Sequence, residues 1–81
     1  MKIKYTPIGV CSKQIDIEVD DNGIVQSVEF FGGCNGNLKG IGALVKGMTV
    51  EDVIAKLENI KCGYKSTSCP DQLAKALKEC Y

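Results

Sequence analysis

Histidine is missing from all 81 residues. Its absence removes any Ser/His/Asp or Cys/His catalytic set. A metal site in this chain would have to be all-thiolate, or completed by Asp or water. Net charge is missing as well, because ten Lys+Arg balance ten Asp+Glu. That balance argues against a broad electrostatic footprint for nucleic acid or an anionic membrane. No apolar run approaches the roughly 18 residues needed to cross a bilayer, so no membrane association is expected. The segment Met1-Lys2-Ile3-Lys4-Tyr5 has neither a hydrophobic stretch nor a small-residue cleavage site, so no signal peptide is expected. These absences point to the cytoplasm, where thiols are kept reduced.

A large core is also lacking. Residues 1–81 are expected to form one small domain, with no linker, internal repeat or low-complexity segment. At this size a single core yields only a few kcal/mol of net stability. A metal, disulfides or a partner subunit, such as a second copy in a homodimer, is a natural supplement.

Cysteine is what the chain does have: five, an odd count that is awkward for a complete intramolecular disulfide framework. Four of them fall at breaks in the pattern. Cys11 lies between strand-like runs, Cys34 in Gly32-Gly33-Cys34-Asn35-Gly36, Cys62 before Gly63, and Cys69 in Thr67-Ser68-Cys69-Pro70-Asp71. A thiol kept only as a small hydrophobe is expected inside a strand or on a helix face.

Strand signals fill the first half. Ile15, Ile17 and Val19 alternate with Asp16, Glu18 and Asp20, which reads as a half-buried strand with one wet side. Asp21-Asn22-Gly23 then signals a hairpin. A return strand is expected over 24–31, with Ile24, Val28 and Phe30 on one face, and a third strand over residues 2–6. Helices fill the second half. The first should be capped by Asn37, bury Leu38, Ile41, Leu44 and Val45, and stop at Gly47. Gly40 and Gly42 within it each cost about 1 kcal/mol relative to Ala, a cost that close approach to a strand or ligand would offset. Thr49 caps a second helix with the stripe Val50, Val53, Ile54, Leu57 and Ile60. The third starts around Ser68–Pro70, where Ser68 and Asp71 resemble a capping box, and presents Leu73, Leu77 and Cys80 on one face. The class is therefore α+β: a small antiparallel sheet of about three strands, with about three helices covering one face.

Cys80 reads as a buried or interface thiol, and setting it aside leaves four, the number a closed zinc or iron site needs. No Cys-x2-Cys knuckle is present: 22, 27 and 6 residues separate the successive four. The neighbours speak more clearly. Glycines beside Cys34 and Cys62 let backbone N–H groups turn toward sulfur, and the start of a helix at Cys69 favours a thiolate. These features suit a metal ligand, a redox nucleophile or a plain structural thiol. The strand–glycine–helix run Gly32–Gly42 is an anion-friendly geometry, yet it matches neither the Walker nor the G-x-G-x-x-G pattern.

The pieces Cys11-Ser12-Lys13, Phe30-Phe31-Gly32-Gly33-Cys34-Asn35-Gly36-Asn37, Gly47, Cys62-Gly63 and Ser68-Cys69-Pro70-Asp71-Gln72-Leu73 together resemble the TSCPD-domain proteins. The likeness is to a subgroup of small, stand-alone bacterial members with four characteristic cysteines. It implies a shared set at Cys11, Cys34, Cys62 and Cys69, with zinc as the ion, and leaves Cys80 outside. Related domains occur at the C-terminus of cobalamin-dependent ribonucleotide reductases. Ribonucleotide reduction itself needs a barrel, a radical-generating cofactor and a nucleotide pocket, which 81 residues cannot supply. The expectation is a non-enzymatic, cysteine-ligated zinc module (iron being the other candidate metal). It would serve as a protein- or nucleic-acid-binding, or reductase-associated, accessory. The alternatives are a thiol–disulfide relay through Cys62 and Cys69, or phosphate and nucleotide binding at Gly32–Gly42.

Overall fold

The computed structural model describes residues 1–33 and 35–81, with Asn35 in backbone only. Three strands come first: β1 (Lys2–Tyr5), β2 (Ser12–Val19) and β3 (Val25–Gly32). Three helices follow: α1 (Asn35–Val45), α2 (Val50–Leu57) and α3 (Cys69–Cys80). The expected α+β order is the observed one. The sheet is antiparallel in the order β1-β2-β3, with Ile3 opposite Ile17 and Ile17 opposite Val28. Strict alternation in β2 puts Ile15, Ile17 and Val19 in the core and half-buries Asp16 and Glu18. All three helices add to that same core, through Val45, Val50, Val53, Leu73, Ala76 and Leu77.

The hairpin forms at 20–24, organised by the carboxylate of Asp20. Its Oδ1 accepts from the backbone N–H of Asn22 at 2.9 Å and Ile24 at 3.0 Å, and its Oδ2 from Gln26 Nε2 at 2.8 Å. An irregularity follows: Glu18 pairs with Ser27, but Val19 pairs with Val25. This extra residue corrects the return strand. Ile24 does not begin it, and Val25 takes the core position instead, because a bulge shifts the face of the residues before it. Ile24 makes an isolated bridge to Thr49.

The first helix also departs from expectation. It begins at Asn35, so Asn37 lies inside its first turn and is not its cap. Leu44, expected on the apolar face, is 78% exposed. The reason is Gly42. A β-carbon there would lie 2.7 Å from the carbonyl oxygen of Val28, so α1 rides directly on the backbone of β3. That contact turns the buried stripe to Leu38, Ile41, Gly42 and Val45 and leaves Leu44 about 120° around the helix from its centre. Gly42 thus makes the close approach to a strand that the sequence suggested. Gly40 does not, since nothing lies within 4 Å of the corresponding point.

Thr49 caps α2 as expected, its Oγ1 accepting from the backbone N–H of Asp52 at 3.1 Å. The helix ends at Leu57, however, and Asn59 adopts a left-handed φ of 68°. Ile60 therefore leaves the stripe and is 42% exposed. In α3, Leu73 and Leu77 are buried but Cys80 is exposed, which corrects the buried half of the expectation that it is a buried or interface thiol. The last turn runs past the core, and residues 78–81 all face solvent.

The two glycines of α1 should respond oppositely to alanine. Gly42→Ala forces helix and strand apart and should cost about 1–3 kcal/mol. Gly40→Ala should gain up to about 1 kcal/mol, because only helix propensity changes. Urea unfolding of both variants reads the contrast; equal effects would contradict the packing account.

Candidate functional site

The buried polar side chains among the described residues are Ser12, Thr67, Ser68, Asp71 and Gln72. All five meet around the start of α3. Buried polar groups are costly unless hydrogen-bonded, and here none is left without a partner. Asp71, 1% exposed, is the hub. Its Oδ1 accepts from the backbone N–H of Asn59 at 2.7 Å, and its Oδ2 from Thr67 Oγ1 at 2.5 Å. Lys75, one turn on, adds an ion pair at 3.1 Å. Burial alone would push this carboxyl up. The hydrogen bonds from Thr67 and Asn59, and then the contact with Lys75, outweigh it and hold Asp71 below the usual carboxylate range.

The hub carries the cysteine segments. Ser68 caps α3 by accepting from the backbone N–H of Asp71 at 3.1 Å and donates to the carbonyl of Ile60 at 2.6 Å. The expected capping box is therefore half formed: Ser68 plays its part, while the Asp71 carboxylate turns to Asn59 and Thr67. Thr67 in turn accepts at its carbonyl from the backbone N–H of Cys62, at 3.1 Å, closing the small loop that bears that thiol. Gln72 donates to Thr67 Oγ1 at 2.9 Å and accepts from the backbone N–H of Ile8 at 3.0 Å, which ties down the approach to Cys11. Thr67 and Gln72 were not singled out from the sequence. Their signal was present, as polar residues crowded at the start of a helix whose other buried residues are apolar.

Gly33 brings the other side in. With φ at 76°, a side chain there would meet Ser12 N at 3.2 Å and Cys11 Cβ at 3.3 Å, so only glycine lets the end of β3 lie against the start of β2.

These constraints place Cys11, Cys62 and Cys69 along one cleft of about 470 Å³. Leu38, Ile41, Leu44 and Pro70 give it apolar walls, and Gly36, Asn37 and Gly40 complete one side. Among the described lining residues none is charged, and the three thiols are the ionisable groups. All three are free, with Cys11 and Cys62 exposed and Cys69 partly covered. The Cys69 sulfur lies 3.2 Å from Ser12 Oγ. Cys34 lies outside the described residues. Among the described residues, no three Cys, Asp or Glu come close enough together to hold a metal ion. The cleft gathers the thiols along its wall without closing them on a point. As a donor set, free thiols in an uncharged cleft suit a soft cation such as zinc.

A three-stranded sheet with helices on one face, and cysteines brought to one cleft by a buried carboxylate network, defines a small cysteine-bearing α+β domain. The chain belongs to the TSCPD-domain family, whose model matches residues 1–81. No curated protein and no solved structure matches it. No helix among the described residues is long and apolar enough to cross a membrane.

Asp71→Asn should lower unfolding free energy by about 2–3 kcal/mol at neutral pH, the scale of hydrogen bonds to a buried charge. Because the folded carboxyl titrates below its unfolded value, its contribution is present above the ordinary carboxylate range and is lost as pH falls through the folded value. The gap between wild type and variant in urea melts should therefore narrow in acid. A gap that is small at neutral pH, or that widens in acid, would contradict this role.

Proposed function

We propose that this domain is a non-enzymatic zinc–thiolate module in which Cys11, Cys34, Cys62 and Cys69 are drawn onto one ion. The observation that carries this reading is the shared cleft. Three free thiols from three separate segments line it, and no basic side chain among its described lining residues could balance their charge as thiolates. A divalent cation would supply that balance, and coordination would cross-link segments that a core of this size holds only weakly. Cys62 sits on a short exposed loop held through Thr67, which presents its thiol at the cleft. A site with four thiolates has no open position and acts structurally. Binding to a larger macromolecule is the remaining part of the role, supported by exposed Leu44 at the rim of the cleft. The family's occurrence at the end of cobalamin-dependent ribonucleotide reductases makes such an enzyme a candidate partner.

A second reading has its own support. Cys62 and Cys69 border the same cleft with both thiols free. Their joining would form one disulfide and pass two electrons and two protons to a partner disulfide.

Protein purified without chelator should carry about one zinc per chain by elemental analysis. Cys34→Ser and Cys62→Ser should lose the metal and several kcal/mol of stability, whereas Cys80→Ser should keep both. A folded, metal-free protein that is indifferent to these substitutions would overturn the zinc reading. Reversible two-electron oxidation of Cys62 and Cys69 against glutathione or thioredoxin couples would favour the relay in its place.

A further inference from the structure

Among the five buried polar side chains, Ser12 differs in its partner. The others bond to nitrogen or oxygen, while Ser12 Oγ lies 3.2 Å from the sulfur of Cys69. Ser12 is the first residue of β2 and is 3% exposed. It follows Cys11 directly; the irregularity in the β2–β3 pairing between Ser12 and Gln14 breaks the alternation that Ile15, Ile17 and Val19 follow and turns Ser12 inward, while Cys11 stays exposed at the cleft. The contact joins residues 57 apart in sequence and sets the two cysteine segments against each other. Its backbone N–H end is equally confined, packed where Gly33 leaves no room for a side chain.

We infer that Ser12 is a positioning residue for the thiolate centre, its hydroxyl donating to Cys69 Sγ; this rests on the zinc–thiolate reading. Donation to a ligating sulfur does two things. It restrains the side-chain orientation of Cys69 at the wall of the cleft. It also withdraws electron density from the sulfur, which alters the energy of charge transfer to a bound metal. Groups that hydrogen-bond to metal ligands commonly affect affinity by about 10–100-fold.

Cobalt(II) is the probe, titrated into metal-free protein under anaerobic conditions. Wild type should develop sulfur-to-cobalt charge-transfer absorption. Ser12→Ala should bind about 10–100-fold more weakly, with that band moved to longer wavelength. Ser12→Thr, which restores a hydroxyl, should return the band toward the wild-type position. An unchanged band in Ser12→Ala overturns the inference even if affinity falls, since a purely structural loss weakens binding without retuning the sulfur. Should Ser12→Ala not fold, the wild-type protein loaded with cadmium-113 serves instead. There the Ser12 hydroxyl proton should exchange slowly and couple to the metal through sulfur, and a freely exchanging proton overturns the assignment. If wild type shows no charge-transfer band at all, the thiolate reading falls and this inference with it. A normal wild-type spectrum with an indifferent Ser12→Ala removes the role of Ser12 alone.

Discussion

The buried carboxylate of Asp71 is the constraint on which the rest of the site depends. A charge removed from water must be satisfied from within, and Asp71 is satisfied by the backbone of Asn59, the hydroxyl of Thr67 and the ammonium of Lys75. Each of those bonds has a structural consequence. Capturing the Asn59 N–H goes with the end of α2 and the left-handed turn that follows it. Holding Thr67 fixes the small loop of Cys62. Gln72 extends the same network across to Ile8, ahead of Cys11. Asp71 thus connects a helix end, a loop and a strand approach that would otherwise be independent.

The glycines do complementary work on the other side of the cleft. Gly33 and Gly42 each stand where a β-carbon would meet backbone, one at the start of β2 and one at the carbonyl of Val28. Together they set the end of β3 and the tilt of α1, and hence the apolar wall opposite Cys62 and Cys69. Two of the glycines in the run from Gly32 to Gly42 therefore have a packing explanation. The exposure of Leu44 follows from the same rotation, so the apolar rim is a by-product of helix–strand approach.

Stability and chemistry share residues here. Ser68 caps α3 and also anchors Ile60, while Cys69 occupies the first position of the helix and faces both the cleft and Ser12. A small domain with a limited core can hold thiols in register this way, by building the polar network that fixes them into the secondary structure itself. The same arrangement explains why Cys80, on the far end of the helix, stands apart: no member of the network reaches it, and the core has ended.

Much of the fold was legible in the sequence because its causes are local. The alternation of Ile15, Ile17 and Val19, the turn after Asp20, and the caps at Thr49 and Ser68 depend on residues within a few positions of each other. Helical spacing, by contrast, misled at Cys80, which it put on a buried face although the core ends before it. The tertiary structure decided what those signals could not contain. It set which face of α1 is buried, where α2 stops, which residue opens β3, and that Cys11, Cys62 and Cys69 share a cleft. The start of β3 follows from the bulge opposite Val19; the other three follow from contacts between residues distant in sequence, Gly42 with Val28, Asn59 with Asp71, Ser12 with Cys69. Propensity and periodicity report only on neighbours along the chain, so no local pattern could have fixed them.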